Sequence, residues 1–340
     1  MTERLGSVLL GLAVLGLAAS PGAAGTYRWV DEQGNISYSD RPPQAKPPEL
    51  KAPASDVQAA PKPGDAKATV SSSPAPKAAP TKVDELLDLS GARAQLGALV
   101  AHVGADLRPP PGQMSAADMA TIDRIIAHSL RQEVVYGAVR DAFLPQVDRP
   151  SLEATAAWLR TRVGRKIIAL EIASSQPDAE QKVAEYAAAV KVNPPSARRL
   201  ELLQRLDWVT GANETSADLV AAIARGLSAA VSAAGPPESR LRPGQIDDRA
   251  AQIRARATET LREVRTMAML YTYQGLQDDE LSEYVRFSGT DAGRWYNSAM
   301  RKALIGAIGK AVEQTTASLV RAVPMERWAR AAMPAPQPVK

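Results

Sequence analysis

The sequence predicts a mainly α protein: helical-bundle domain(s) with an internal repeat, preceded by a small β-hairpin module and a disordered Pro/Ala-rich linker. Three observations carry this expectation. Of 340 residues 45% are hydrophobic, yet only 4% are aromatic and Phe occurs twice, a composition that suits close-packed helices better than a β-sandwich. From Thr81 onward apolar residues recur three and four apart, the spacing of one helix face. Between Pro42 and Pro80 large apolar residues are almost absent, so that stretch cannot bury enough surface to offset the entropy of ordering it.

The chain opens MTERLGSVLLGLAVLGLAASPGAAG, with Arg4 ahead of an apolar run from Leu5 to Ala19. That run is shorter than the ~20 residues a spanning helix needs. Ala23 and Gly25 satisfy the small-x-small rule for cleavage before Thr26, and Gly22 and Ala24 would place it one residue earlier. Residues 1–25 therefore read as a cleaved secretory signal peptide, and the mature chain is expected in the periplasm without stable membrane insertion, since no other stretch looks apolar enough to cross a bilayer. The chain has no cysteine, so neither a lipidated cysteine nor a disulfide is available. A net charge of +4, without an arginine cluster interleaved with aromatics, points away from nucleic acid.

Residues 26–43 form the expected hairpin module, YRWVDEQGNISYSDRPP after Thr26. Strand alternation puts Tyr27 and Trp29 on one face, and Ile36 and Tyr38 are expected to join them across the hairpin. Asp31 first and Gly34 fourth suit a type I turn closed by a left-handed glycine. Trp29-Val30-Asp31, Gly34, Tyr38-Ser39-Asp40 and Pro42-Pro43 closely resemble the motif of the family called domain of unknown function 4124. The resemblance implies a β-hairpin just after the signal peptide of an exported bacterial protein, and no reaction. An isolated hairpin is marginal in water, so its aromatic face should dock on the chain's own helices, on an envelope partner, or on the sugar rings of a glycan. Residues 44–80 follow as a disordered, partly polyproline-like linker.

Helices are expected from Thr81, where Thr81 and Asp84 resemble a capping box, through Val103; from Ser115 to about Ala142; from Pro150 past Leu170; and from Pro177 to before Asn193. Further helices are expected at about 196–209, 214–233, 246–274, 278–288 and 291–322, and residues 324–340 as a flexible tail. Leu152, Trp158, Thr161, Gly164 and Arg165 match Leu281, Phe287, Thr290, Gly293 and Arg294 at an offset of 129, and LLDLSGA at 86–92 parallels 205–212 at an offset of 120, aligning Gly91 with Gly211. Residues 81–192 and 193–323 thus read as two helical repeats, the second with nine more residues centrally. The stretch LQDDELSEYVRFSGTDAGRWY (276–296) resembles the helical family called domain of unknown function 2059, convincingly over 200–320 and loosely over 83–175. That resemblance implies an exported helical domain and no activity.

No catalytic residue, cofactor or metal-ligand set emerges. His102 and His128 lack metal-ligand spacing and read as solvated. Asp278, Asp279 and Glu280 suit a helix start. The expected function is that of a non-catalytic binding or scaffold protein of the cell envelope, with the hairpin face (Tyr27, Trp29, Tyr38) as its recognition or docking surface. Arg165 and Arg294 are further binding candidates, and an envelope protein or cell-wall glycan is the expected partner. The alternative is an envelope enzyme acting on peptidoglycan or another polymer through carboxylates of the helical domain.

Overall fold

The computed structural model describes residues 27–30, 36–39, 80–110 and 112–331. The leader, the hairpin turn, the linker and the last nine residues lie outside them. The described residues fall into two units, the strands in one and the helices in the other.

Strands β1 (Tyr27–Val30) and β2 (Ile36–Ser39) pair antiparallel, with Tyr27 opposite Ser39, Arg28 opposite Tyr38, Trp29 opposite Ser37 and Val30 opposite Ile36. Directly opposed residues share a face. Tyr27 and Trp29 therefore fall with Ser37 and Ser39, whereas Tyr38 falls with Arg28, Val30 and Ile36. This corrects the expected single aromatic face, because strand alternation alone left the cross-strand register open.

The second unit is all helix apart from two single-turn 3₁₀ segments among the described residues. Three stretches expected to run as continuous helices are each broken in two. The first divides into α1 (Pro80–Leu89) and α2 (Ala92–Asp106) at Gly91, whose φ of 68° is left-handed and so costs glycine little. The second divides into α3 (Ala116–Ser129) and α4 (Gln132–Phe143), and the third into α5 (Arg149–Leu159) and α6 (Arg162–Ala173). After them come α7 (Ala179–Val192), α8 (Ala197–Thr210), α9 (Ala212–Ala234), α10 (Pro243–Thr272), α11 (Asp278–Ser288), α12 (Asp291–Ala322) and α13 (Met325–Ala331). The last of these corrects the expectation of a tail fraying from 324. Trp328 packs against the core, its indole N–H donates to the Val323 carbonyl at 3.1 Å, and Arg327 pairs with Asp118 at 2.6 Å.

Two steps are built from the same interactions. Thr161 caps α6 by accepting the Gly164 N–H at 3.0 Å, and Thr290 caps α12 by accepting the Gly293 N–H at 3.1 Å. Arg165 donates to the Arg160 carbonyl and Arg294 to the Gly289 carbonyl, each closing the end of the preceding helix. A Cβ on Gly164 would lie 2.9 Å from the Leu159 Cα, and one on Gly293 2.7 Å from the Ser288 Cα. Glycine is therefore required for close approach at both places. The Trp158 and Phe287 rings, from α5 and α11, stack on each other at 4.0 Å and 3°.

One apolar core joins α1–α5 to Leu219 and Ile223 of α9 and to Ala299, Leu304, Ile308 and Leu319 of α12; another joins α6, α8, α10 and α11. Helix α12 is bolted to the first half by three bonds: Trp295 N–H to the Gln146 carbonyl at 2.8 Å, Gln146 to the Ala299 carbonyl at 3.3 Å, and Thr155 to the Ala292 carbonyl at 3.3 Å. Residues on both sides of the 192/193 boundary thus close one compact unit. By length and composition α9 is apolar enough to cross a membrane, contrary to the expectation that only the leader comes near this. In this fold Ala217, Leu219, Val220, Ile223 and Ala224 are buried, and Asp218 between them accepts from Arg254 of α10 and Arg301 of α12.

Candidate binding cleft

Helix α8 begins at Ser196, which accepts the Arg199 N–H at 3.1 Å, and ends at Gly211 in the left-handed region, φ 62°. Leu203 and Leu206 are buried. Arg199 donates to the Leu276 carbonyl at 2.7 Å and to Asp278 at 2.9 Å, fastening α8 to the start of α11. Glu280, 6% exposed, accepts the Gln277 N–H at 3.0 Å and pairs with Lys166 at 2.5 Å and Arg162 at 3.3 Å. The Lys166 ammonium, then the Gln277 amide, hold its carboxyl below the ordinary range. The acidic start of α11 is therefore occupied in holding helices together.

Beside this joint α8 and α11 leave a cleft of about 610 Å³, within the range of small-ligand sites. One wall carries Arg205, Trp208 and Val209, the other Ser282, Val285 and Arg286, with Arg294 at one end. Trp208 is 81% exposed. Arg205 and Arg286 are exposed, and neither meets a carboxylate or another acceptor among the described residues. Arg294 is already held by Asp291 at 2.6 Å and by the Gly289 carbonyl. Of the two sequence-predicted arginines, Arg294 lines the cleft and Arg165 does not, and nothing brings them together. Tyr27, Trp29 and Tyr38 belong to the separate strand unit.

Three of these residues escaped the sequence reading although one left a signal. Trp208 stands two positions after Leu206, about 200° round the helix from a core residue, so it was legible as an aromatic on the polar side of α8. Arg205 and Arg286 carried no such mark, because whether a surface arginine finds a carboxylate depends on tertiary neighbours.

The other residue missed is Glu171 of α6, 8% exposed. One of its oxygens accepts the Tyr273 hydroxyl at 2.8 Å and the Tyr284 hydroxyl at 3.0 Å. Burial pushes its carboxyl up against the opposing pull of these donors and of Gln95. Burial, then the Glu171 charge, pushes both tyrosines well above the ordinary phenol range, so both keep their protons. Four residues after Ile167, Glu171 interrupts an apolar stripe, which is the signal that marks it. An acid whose native pKa lies above its unfolded value holds its proton longer when folded. Its effect on stability is therefore most favourable below the unfolded value and declines as pH rises through the native one. Glu171→Gln should melt with the native chain near about pH 4 and above it near about pH 8, the unfolded glutamate ionising between. Identical melting temperatures at both ends, followed by circular dichroism, would refute this cost.

His128 is exposed, whereas His102 is half-buried with its Nε2 3.8 Å from Asp106, a departure from the solvated position expected of it. No group of three His, Asp or Glu side chains arranged to hold a metal occurs among the described residues.

The geometry defines a helical domain with an open basic-aromatic cleft, preceded in sequence by a short strand pair. The family model described as Domain of unknown function (DUF4124) matches residues 13–84, which include the strand pair and the start of α1. No curated protein and no solved structure matches the chain.

Proposed function

We propose that this chain is an exported, non-catalytic binding protein of the cell envelope, carried to the periplasm by its leader, whose helical domain holds a negatively charged partner in the α8/α11 cleft. The observation that carries this reading is Trp208, 81% exposed, sharing the cleft with two arginines that have no partner among the described residues. Tryptophan and arginine are the residues most enriched where binding energy concentrates. The strand module at 26–43 and its linker at 44–80, taken as a disordered tether, supply a second contact through Tyr27 and Trp29 on one face and Tyr38 on the other.

The helical domain is read as two copies, 81–192 and 193–323, resembling domain of unknown function 2059 and related by an approximate two-fold rotation. Gly91 and Gly211 are both left-handed, and the buried Leu99, Val100 and Val103 recur as Leu219, Val220 and Ile223 at the offset of 120. Equivalent residues beside a two-fold axis meet each other, as Trp158 and Phe287 do. An enzymatic reading has less to draw on: Glu171 is enclosed, and Asp278 and Glu280 are engaged in ion pairs.

Retention of the full chain on a carboxylated matrix at low ionic strength tests the cleft. Neutralising Arg205 and Arg286 with glutamine should release the protein at distinctly lower salt. Neutralising the exposed Arg249 and Arg256 of α10 should change elution far less. Equal losses from the two pairs would leave general basic charge as the cause and overturn the cleft reading.

A further inference from the structure

We infer that the occupant of the α8/α11 cleft is a carboxylate-bearing glycan, with a sugar ring on Trp208 and its carboxylate on Arg205 and Arg286. The inference rests on the cleft being a binding site and adds the chemistry of what it takes.

The lining decides the class. Its polar side chains are three arginines and Ser282, so apart from one hydroxyl it offers donors only. On the α11 wall the Val285 and Arg286 carbonyls already accept the Gly289 N–H and the Gly289 carbonyl accepts from Arg294, so that wall offers few free carbonyls to a peptide's N–H groups. A peptide amide buried against that wall would lose water without replacement. A glycan presents ring and hydroxyl oxygens that accept, and its apolar ring face suits an exposed indole. Among the described residues neither a lysine nor a free helix N-terminus lines the cleft. The first-turn amide of α12 nearest to it, on Gly293, is taken by Thr290. Planar guanidinium forks match a carboxylate bidentately, and comparison with phosphorylated dextran separates it from phosphate, which they also match.

The equivalent place in the first half shows what a filled version looks like. At the offset of 120, Arg205 and Trp208 correspond to Glu85 and Asp88 of α1, which line a shallow cleft of their own. There Glu85 is paired with Arg160, and Asp88 lies 3.6 Å from Arg93. The first half neutralises its cleft internally, whereas the second reverses the charge, adds an indole and leaves both without a partner among the described residues. What it lacks is an external carboxylate.

Titration calorimetry of the full chain with oligogalacturonate at low salt tests this, beside poly-glutamate, phosphorylated dextran and neutral dextran. Oligogalacturonate should bind most tightly. Trp208→Ala and the double variant Arg205→Gln/Arg286→Gln should each weaken it by roughly tenfold or more, with an unchanged melting temperature because all three side chains are exposed. Trp208→Ala should leave any poly-glutamate binding nearly as it was. Preference for poly-glutamate, or indifference to Trp208→Ala, would assign the cleft to an acidic protein segment. Preference for phosphorylated dextran would assign it to a phosphate polymer. Either result overturns the glycan while the binding cleft stands. Failure of every anion to bind overturns both.

Discussion

Gly293→Ala should lower stability by roughly 2–3 kcal/mol, seen as a fall in melting temperature of about 5–10 °C for a helical unit of this size. The new methyl would overlap the Phe287 carbonyl oxygen and lie 2.7 Å from the Ser288 Cα. Both are backbone atoms of α11, so no side chain can turn aside. Relief requires α12 to move off α11, and α12 carries Trp295, Ala299, Leu304 and Ile308 into the larger core. The same helix supplies its own control. A Cβ on Gly306 would meet nothing within 4 Å, so Gly306→Ala should be neutral or stabilising by up to about 1 kcal/mol, as alanine is the better helix former. Thermal melts of the two single variants compare one substitution in two surroundings. Equal melting temperatures would mean that the α11–α12 contact is not close.

Phe143→Ala should cost more, about 3–5 kcal/mol. Phe143 is fully buried at the end of α4, with the Trp295 ring edge-on at 5.6 Å and Tyr296 at 6.5 Å. Removing the ring deletes apolar burial and leaves a cavity against two large aromatics held by α12, one of them fastened by its bond to the Gln146 carbonyl. Such a site collapses poorly. Urea denaturation should show the midpoint falling with little change in slope, and Phe143→Leu should recover part of the loss. A loss below about 1 kcal/mol would place Phe143 in a site that repacks freely.

Much of the helical unit was legible from the chain alone. Helices α11 and α12 fall at 278–288 and 291–322 as expected, because an acidic first turn and a Thr-x-x-Gly start mark them locally. The breaks at Gly91 and Leu130 were hidden by apolar spacing that runs on across them, and the one at Thr161 was masked by the same spacing although it carries the same Thr-x-x-Gly start. Periodicity reports which side of a helix is buried, and a bend that keeps the same side inward leaves it intact. The strand register was equally hidden, since alternation assigns faces within a strand and says nothing of its neighbour. At the cleft, Arg294 was reached through its motif, while Arg205 and Arg286 matter for what they do not touch. A missing partner has no sequence signature. Glu171 lay between, visible as a charge in an apolar stripe, with its tyrosines more than a hundred residues away.

The fastening of α12 into the first-half core sets an order of events during synthesis. Leu86, Leu99 and Ile122 share one cluster with Leu304, Ile308 and Leu319, so a nascent chain lacks the central wall of its N-terminal half until α12 leaves the ribosome. Contacts this distant form late and slowly. A polypeptide that cannot complete this core until α12 is made stays threadable over the residues before it, the condition for passage through a membrane channel and for the export proposed for it.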